Sequence, residues 1–386
     1  MSRLDELFQE LCPNGVTYKK LVDAVSIERG KRVVRSQLST SGKYPVYQNS
    51  LTPLGYHTDC NYSANTTFII VAGAAGEIGF SDRAFWAADD CFAIVCPEGV
   101  LNRYVYHLLL NNQNQLLSKV RKASIPRLSR SAIENLVIPI PPLDVQREIV
   151  RILDNFTELT AELTVELTAR QKQYAFYRNK LLTFGKTEGA RIERIPLGDI
   201  GSICMCKRIL KSQTNTVGGV PFYKIGTFGK KADSYISQET FDEYRSKYNF
   251  PKKGDVLISA AGTIGRTVVY DGEPAYFQDS NIVWIDNDES VVLNSYLRYC
   301  YELKPWKASE GGTIPRLYND NIAKAVIAVP PIEEQKRVVS ILDRFDAICN
   351  DLTSGLPAEI EARQKQYEYY RDKLLSFKEH KNELSD

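Results

Sequence analysis

Cationic side chains recur at matched points along this 386-residue chain. Lys31, Arg32 and Arg35 in the run KRVVRSQ are answered by Lys207, Arg208 and Lys211 in KRILKSQ, and Lys122 with Arg127 in KASIPRL by Lys307 with Arg316 in KASEGGTIPRL. Lysine and arginine so placed can neutralise phosphate oxygens and fix a protein's register on a polyanion. Nearby residues have the reach to touch a backbone or a base edge: Lys43, Tyr47, Gln48, Asn49 and Arg83 in the first half, Tyr223, Lys224, Lys230, Lys231 and Arg266 in the second. Together these twenty form a candidate DNA-contacting set, and each cation also has an ordinary reading as a solvated surface residue. The net charge of +2 makes no case for nucleic acid by itself, so distribution must carry it. Basic residues crowd Lys19–Lys43, whereas Glu158, Glu162, Glu166, Glu359 and Glu361 gather in helical stretches.

Other chemistries find less support. Eight cysteines show no CxxC spacing, and with three histidines (His57, His107, His380) they read as free thiols in a reducing compartment, with no metal site expected. The glycine cluster AGAAGEIG and its partner SAAGTIGR match neither GxGxxG nor GxxxxGK[ST]. Tight turns explain them, and a loop approaching a phosphate or base beside Arg83 or Arg266 stays open. No DPPY or NPPF, no Walker motif and no recurrent nuclease-type acidic pair is present, so no catalytic residue is expected. No apolar run reaches membrane length, and acids interrupt MSRLDELFQELCPNG, so the expected location is the cytoplasm.

These residues are positioned by a duplicated frame. ARQKQYAFYRNKLLTF (169–184) returns as ARQKQYEYYRDKLLSF (362–377), and IPRLSRSAIENLVIPIPPLDVQREIVRILDNF from Ile125 returns from Ile314. LVDAVSIERGKRVVRSQ from Leu21 matches from Leu197, and GEIGF at Gly76 is paired with GTIGR at Gly262. The copies agree best in the helices and differ most between about 48 and 122 and between about 224 and 310. Two readers of different things on one frame, or drift in loops, would both produce that pattern. TTFIIVAG, CFAIVC, DVLISAAG and IVWID read as strands; NRYVYHLLLNNQNQLLSKV and NSYLRYCYELK read as helices. Each globular unit is then α+β.

An apolar seam through Ile149, Leu153, Phe156, Leu163, Leu167, Tyr174, Tyr177 and Leu181 predicts one helix of about 35 to 40 residues, roughly 50 to 60 Å long. Val338, Leu342, Phe345, Leu352, Tyr367, Tyr370 and Leu374, with Leu356 and Arg363 in the same rows, supply an antiparallel partner. The first helix carries a tetrapeptide echo, TELTAELTVELTA, where the second has SGLP and four more residues. Gly and Pro there should interrupt the second helix.

The ARQKQY block, the upstream ILDxF, the Pro-Pro exits, GLPAEIEARQ and the TAEL-type tetrads resemble the DNA-specificity subunit of type I restriction-modification systems, in the subgroup with tetrapeptide repeats in the central helix. The resemblance implies two target recognition domains, at 1–143 and 185–331, in pseudo-two-fold arrangement, separated by conserved helices at 144–184 and 332–377, with a polar tail at 378–386. It further implies a non-catalytic reader of a bipartite double-stranded DNA target, the helices setting the gap. Two methyltransferase subunits with S-adenosylmethionine and ATP-dependent, magnesium-requiring restriction subunits would supply the chemistry. A helical scaffold whose globular units bind protein is the alternative. A standalone methyltransferase or nuclease would instead act on DNA by itself.

Overall fold

A computed structural model describes residues 3–184, 192–307 and 316–380. The chain divides into two compact units: one runs up to Thr164 and resumes at Glu359, and the other comprises Val165–Ala358. The long helix Leu143–Thr183 therefore contributes its first half to one unit and its second half to the other.

In the first unit a four-stranded antiparallel sheet has the order Ser26–Arg29, Cys91–Val95, Thr66–Ile70, Ile78–Ser81. A three-stranded sheet sets Tyr44–Tyr47 antiparallel to Gly55–His57 and parallel to Trp86–Ala87. A ribbon pairs Thr17–Lys20 with Val137–Ile140. The second unit repeats this plan strand for strand: Ser202–Cys204, Ile282–Asp286, Val256–Ser259, Thr267–Val269; then Tyr235–Ile236, Val220–Tyr223, Tyr276–Phe277; then Glu193–Pro196 with Val326–Val329.

The apolar run TTFII is buried along its whole length because its alternate residues serve two cores. Ile69 faces a helical layer containing Tyr104, Val105 and Leu108, while Phe68 and Ile70 join Phe85 and Ala87 on the other side. Val256 and Ile258 against Leu257 repeat that division in the second unit. The expected single helix 102–120 breaks into Asn102–Asn111 and Gln113–Ser118.

Each long helix leaves its ribbon through a Pro-Pro pair, and the next glutamine locks the exit. Gln146 is fully buried, accepts from the Leu101 N–H at 2.9 Å and donates to the carbonyls of Gly99 (3.0 Å) and Pro141 (2.8 Å). Gln335 repeats the arrangement with Leu293 N–H (2.9 Å), Val291 (2.9 Å) and Pro330 (2.8 Å).

After helix Ile332–Asn350 the chain turns through Asp351–Gly355 before helix Leu356–Leu374. Thr353 and Ser354 bind the Asp351 carboxylate there and hold it far below the usual carboxylate range. A Cβ on Gly355 would lie 2.5 Å from the Ala347 carbonyl oxygen, so the turn requires glycine. The break moves one seam residue: Leu352 is 75% exposed, and Cys349, at 1%, packs there instead.

Candidate nucleic-acid interface

The first basic run starts from a fixed base. Lys31 N–H donates to Ala87 O at 2.9 Å, the Trp86 indole N–H donates to Lys31 O at 2.9 Å, and Val33 is buried. A 3₁₀ turn, Arg35–Gln37, follows, and its counterpart is Lys211–Gln213. Lys31, Arg32, Arg35, Lys43, Asn49, Arg83, Lys122, Arg127, Lys207, Arg208, Lys211, Lys230, Lys231 and Lys307 are exposed. None of these cations forms an ion pair among the described residues.

The glycine turn gathers part of the set in the first unit. Ala74 N–H donates to Asn49 O (2.9 Å), Gly73 N–H to Pro126 O (3.2 Å), and Ala72 bridges to Arg127. Gly73 has φ +83°, and a Cβ there would meet the Asn49 oxygen at 2.8 Å, so strand end and turn come this close only with glycine. Asn49, the turn and Arg127 thus share one edge, and half-buried Gln48 precedes Asn49.

Hydrogen bonding corrects the pairing of the two glycine clusters. Gly76 N–H reaches Ile70 O and Ile70 N–H reaches Glu77 O; the same bonds link Gly265 to Ser259 and Ser259 to Arg266. Gly73 therefore corresponds to Gly262 and Gly76 to Gly265, in step with the Ala72–Arg127 and Ala261–Arg316 bridges. Arg266 stands where the first unit has Glu77, so Arg83 and Arg266 are not equivalents.

Several candidates already have internal work. Arg266 donates to Phe228 O at 2.8 Å, Arg316 to Ser280 Oγ at 3.1 Å, and Lys224 pairs with Asp233 at 2.8 Å. Tyr47 stacks on Phe68 with centroids 4.6 Å apart, and burial raises its phenol pKa; Tyr223 stacks on Phe277 at 5.8 Å. Lys43 lies over the Tyr44 ring and Lys207 over that of Tyr248, both at 5.0 Å. Residues 308–315, most of the KASEGGTIPRL segment, lie outside the described residues.

The helical set divides between the units in a repeated way. In the first, Ile149 and Leu153 are fully buried and Phe156 stacks on Tyr370 at 5.3 Å, with Tyr367 buried and Leu374 partly so. In the second, Val338 and Leu342 are fully buried and Phe345 stacks on Tyr177 at 5.8 Å, with Tyr174 buried and Leu167 partly so. Tyr177 meets Phe345 while Arg170 acts on Cys349, so these segments run antiparallel. Leu163 and Leu181 are half-buried; Leu182, at 3% exposure, is the buried residue of the last turn. Phe176 and Tyr369, at corresponding positions, are each 62% exposed.

Sequence reasoning missed a buried polar junction in the first unit. Tyr367 O–H donates to His107 Nδ1 (3.2 Å), and His107 Nε2–H donates to Asp154 (2.8 Å), which Arg103 also reaches (2.8 Å). Burial lowers the imidazole pKa, outweighing the hydrogen bond to Asp154, so this is a neutral histidine and the contact is a hydrogen bond. Burial pushes the Asp154 pKa up, but hydrogen bonds from His107 and Arg103 bring it below the ordinary carboxylate value. Tyr299 donating to Asp343 holds the equivalent place in the second unit, and Arg298 pairs with Asp346 beside it. The only sequence signal was duplication of the Leu-Asp pair.

Comparison with known proteins agrees with this duplicated plan. The type I restriction modification DNA specificity domain matches residues 13–170 and again 191–362. A Haemophilus influenzae protein named as a type I restriction enzyme specificity subunit is 48% identical over 94% of this chain and 96% of its own length. The Escherichia coli EcoR124I/EcoR124II specificity subunit is 33% identical over 72% of this chain and 71% of its own length. In fold, the chain is similar to the crystal structure of a type I restriction-modification S subunit from M. genitalium: TM-score 0.64, 16% identity, 93% of this chain and 96% of that one. It is also similar to a chain solved for complex assembly and conformational transition of the type I system: TM-score 0.60, 18% identity, 95% and 98% covered. With two matched domains spanning most of its length, the chain belongs to the type I restriction-modification DNA specificity family.

Proposed function

We propose that this chain is the sequence-reading subunit of a cytoplasmic type I restriction-modification complex. Each unit reads one half of a bipartite double-stranded DNA target, and the helices set the unspecified gap. The observation that carries this is the repeated frame with unlike surfaces: both units keep the same strand order and helix anchors, while the position held by Glu77 in the first unit is held by Arg266 in the second. One small domain can discriminate only a few base pairs, at roughly 1 to 3 kcal/mol per good contact, so two domains multiply selectivity.

The chemistry belongs to partners. Two methyltransferase subunits using S-adenosylmethionine would dock on the helices, where the exposed Phe176 and Tyr369 offer matched aromatic contacts, and restriction subunits using ATP and magnesium would join them. The twenty cations, amides and tyrosines of the candidate set are the proposed DNA-facing residues, led by those with no internal partner. The test is sequencing of modified adenines in a host expressing this chain with its methyltransferase. The expected result is one bipartite motif with a fixed gap, and a contiguous motif or none overturns the proposal.

A further inference from the structure

We infer that the loops Lys31–Gln37 and Lys207–Gln213 are sequence-independent clamps, each gripping the phosphodiester backbone beside its unit's half-site with an apolar tip, Val34 or Leu210, against the deoxyribose face. The inference rests on the DNA-reading function proposed above, and it assigns these loops a role that is distinct from base reading.

The loops are an exposed, non-helical feature that the duplication keeps in register, with Lys, Arg, Ser and Gln identical in both copies. From ribbon strand Thr17–Lys20 to strand Tyr44–Tyr47, the two copies align at a constant offset of 176 with no insertion. Beyond those strands the register slips to 189 and then to 193. The backbone is kept too. Gln37 Oε1 accepts from the Val34 N–H and Gln213 Oε1 from the Leu210 N–H, both at 2.9 Å. Val34 has φ −102° and ψ 152°, and Leu210 has −82° and 151°.

Burial within each loop is sharply divided. Val33 and Ile209 are anchored at 8% and 9% exposure, while the next residues, Val34 and Leu210, stand 50% and 57% exposed. The glutamine cap thus holds an apolar side chain in solvent between cations, and neither loop contains an acid. Gln37 and Gln213 are positioning residues that act through this backbone bond.

Readers of two different sequences can share only contacts to what the half-sites share. DNA supplies that as phosphate and sugar, which fix register without carrying sequence. A methyltransferase is also common to both halves, but three acid-free, unpaired cations per loop match a polyanion better.

The experiment uses the full chain with its methyltransferase and two duplexes, one bearing the motif found by adenine sequencing and one with both half-sites scrambled. Binding is measured across a salt series. Replacing Arg32→Gln with Arg35→Gln should weaken both duplexes by the same factor, about tenfold, and should lower the slope of log K against log salt by about 1.8, the value for two phosphate contacts. Arg208→Gln with Lys211→Gln should do the same, and the methylated motif should not change. Gln37→Ala keeps every charge and should weaken both duplexes with the slope intact. Loss confined to the target duplex, or a changed motif, makes the loops base readers and overturns the inference. Loss of methyltransferase from the complex at unchanged DNA affinity makes them docking surfaces and also overturns it, as does no change at all. A wild-type complex that binds both duplexes equally sinks the reader itself, a result distinct from the loop's failure.

Discussion

His107 is fully buried with a lowered pKa, and the direction of its effect on stability follows. The unfolded chain takes up its proton near the ordinary value of about 6.5, and the folded chain only below that. Stability is therefore complete above about pH 6.5 and declines as pH falls toward the folded value, by at most about 1.4 kcal/mol per pH unit. Urea unfolding at several pH values should show this decline in the wild type and a flatter profile in His107→Gln; equal slopes would refute it. The twin glutamines make a second residue-scale prediction. Gln146→Leu strands the Leu101 N–H and two carbonyls in the interior, costing about 2 kcal/mol, or roughly 4 to 8 °C in melting temperature. Gln335→Leu should cost the same in the other unit, measurable by calorimetry. Both glutamines lay in plain sight four residues after the second proline of each exit. Their role was invisible because partners such as Leu101 and Leu293 are more than forty residues away.

At the scale of elements, the tetrapeptide echo gives a helix whose threonines are satisfied by their own backbone. Thr160 Oγ1 donates to Phe156 O and Thr164 Oγ1 to Thr160 O, each at 2.8 Å. Val165 nearby is 70% exposed. Because this stretch makes few outward demands, its length can change. Deleting Thr160–Leu163 removes about 6 Å and leaves the helix face turned by only about 40°. Both half-sites should persist with a shorter gap in adenine sequencing, and an unchanged gap would count against a measuring role for the helix. The second copy uses its four additional residues differently. The offset is 189 at Phe156 and Phe345 but 193 at Tyr174 and Tyr367, so the insertion falls in the turn at Asp351–Gly355. Glycine and proline announced that break; the exposure of Leu352 could not follow from a heptad row drawn straight through it.

For the whole molecule, the expected experiment is exchange of residues 1–143 for the corresponding part of another family member. The methylated motif should change in one half-site and keep the other, whereas an unchanged motif favours a protein-binding scaffold. The duplication, the long helix, the strands and the basic runs could all be read from sequence, because repeats, apolar period and charge are local properties of the chain. Which candidates remain available to a ligand was settled only by packing. Arg266 and Arg316 look like Arg32 and Arg127 in one dimension, yet Phe228 O and Ser280 hold their guanidinium groups. The division of each unit was likewise tertiary, since Tyr370 stacks on Phe156 and Tyr177 on Phe345 across more than 160 residues of chain. Local pattern determined what elements this chain forms; long-range contacts, whose partners sequence spacing does not encode, decided which side chains those elements consume and which they leave exposed.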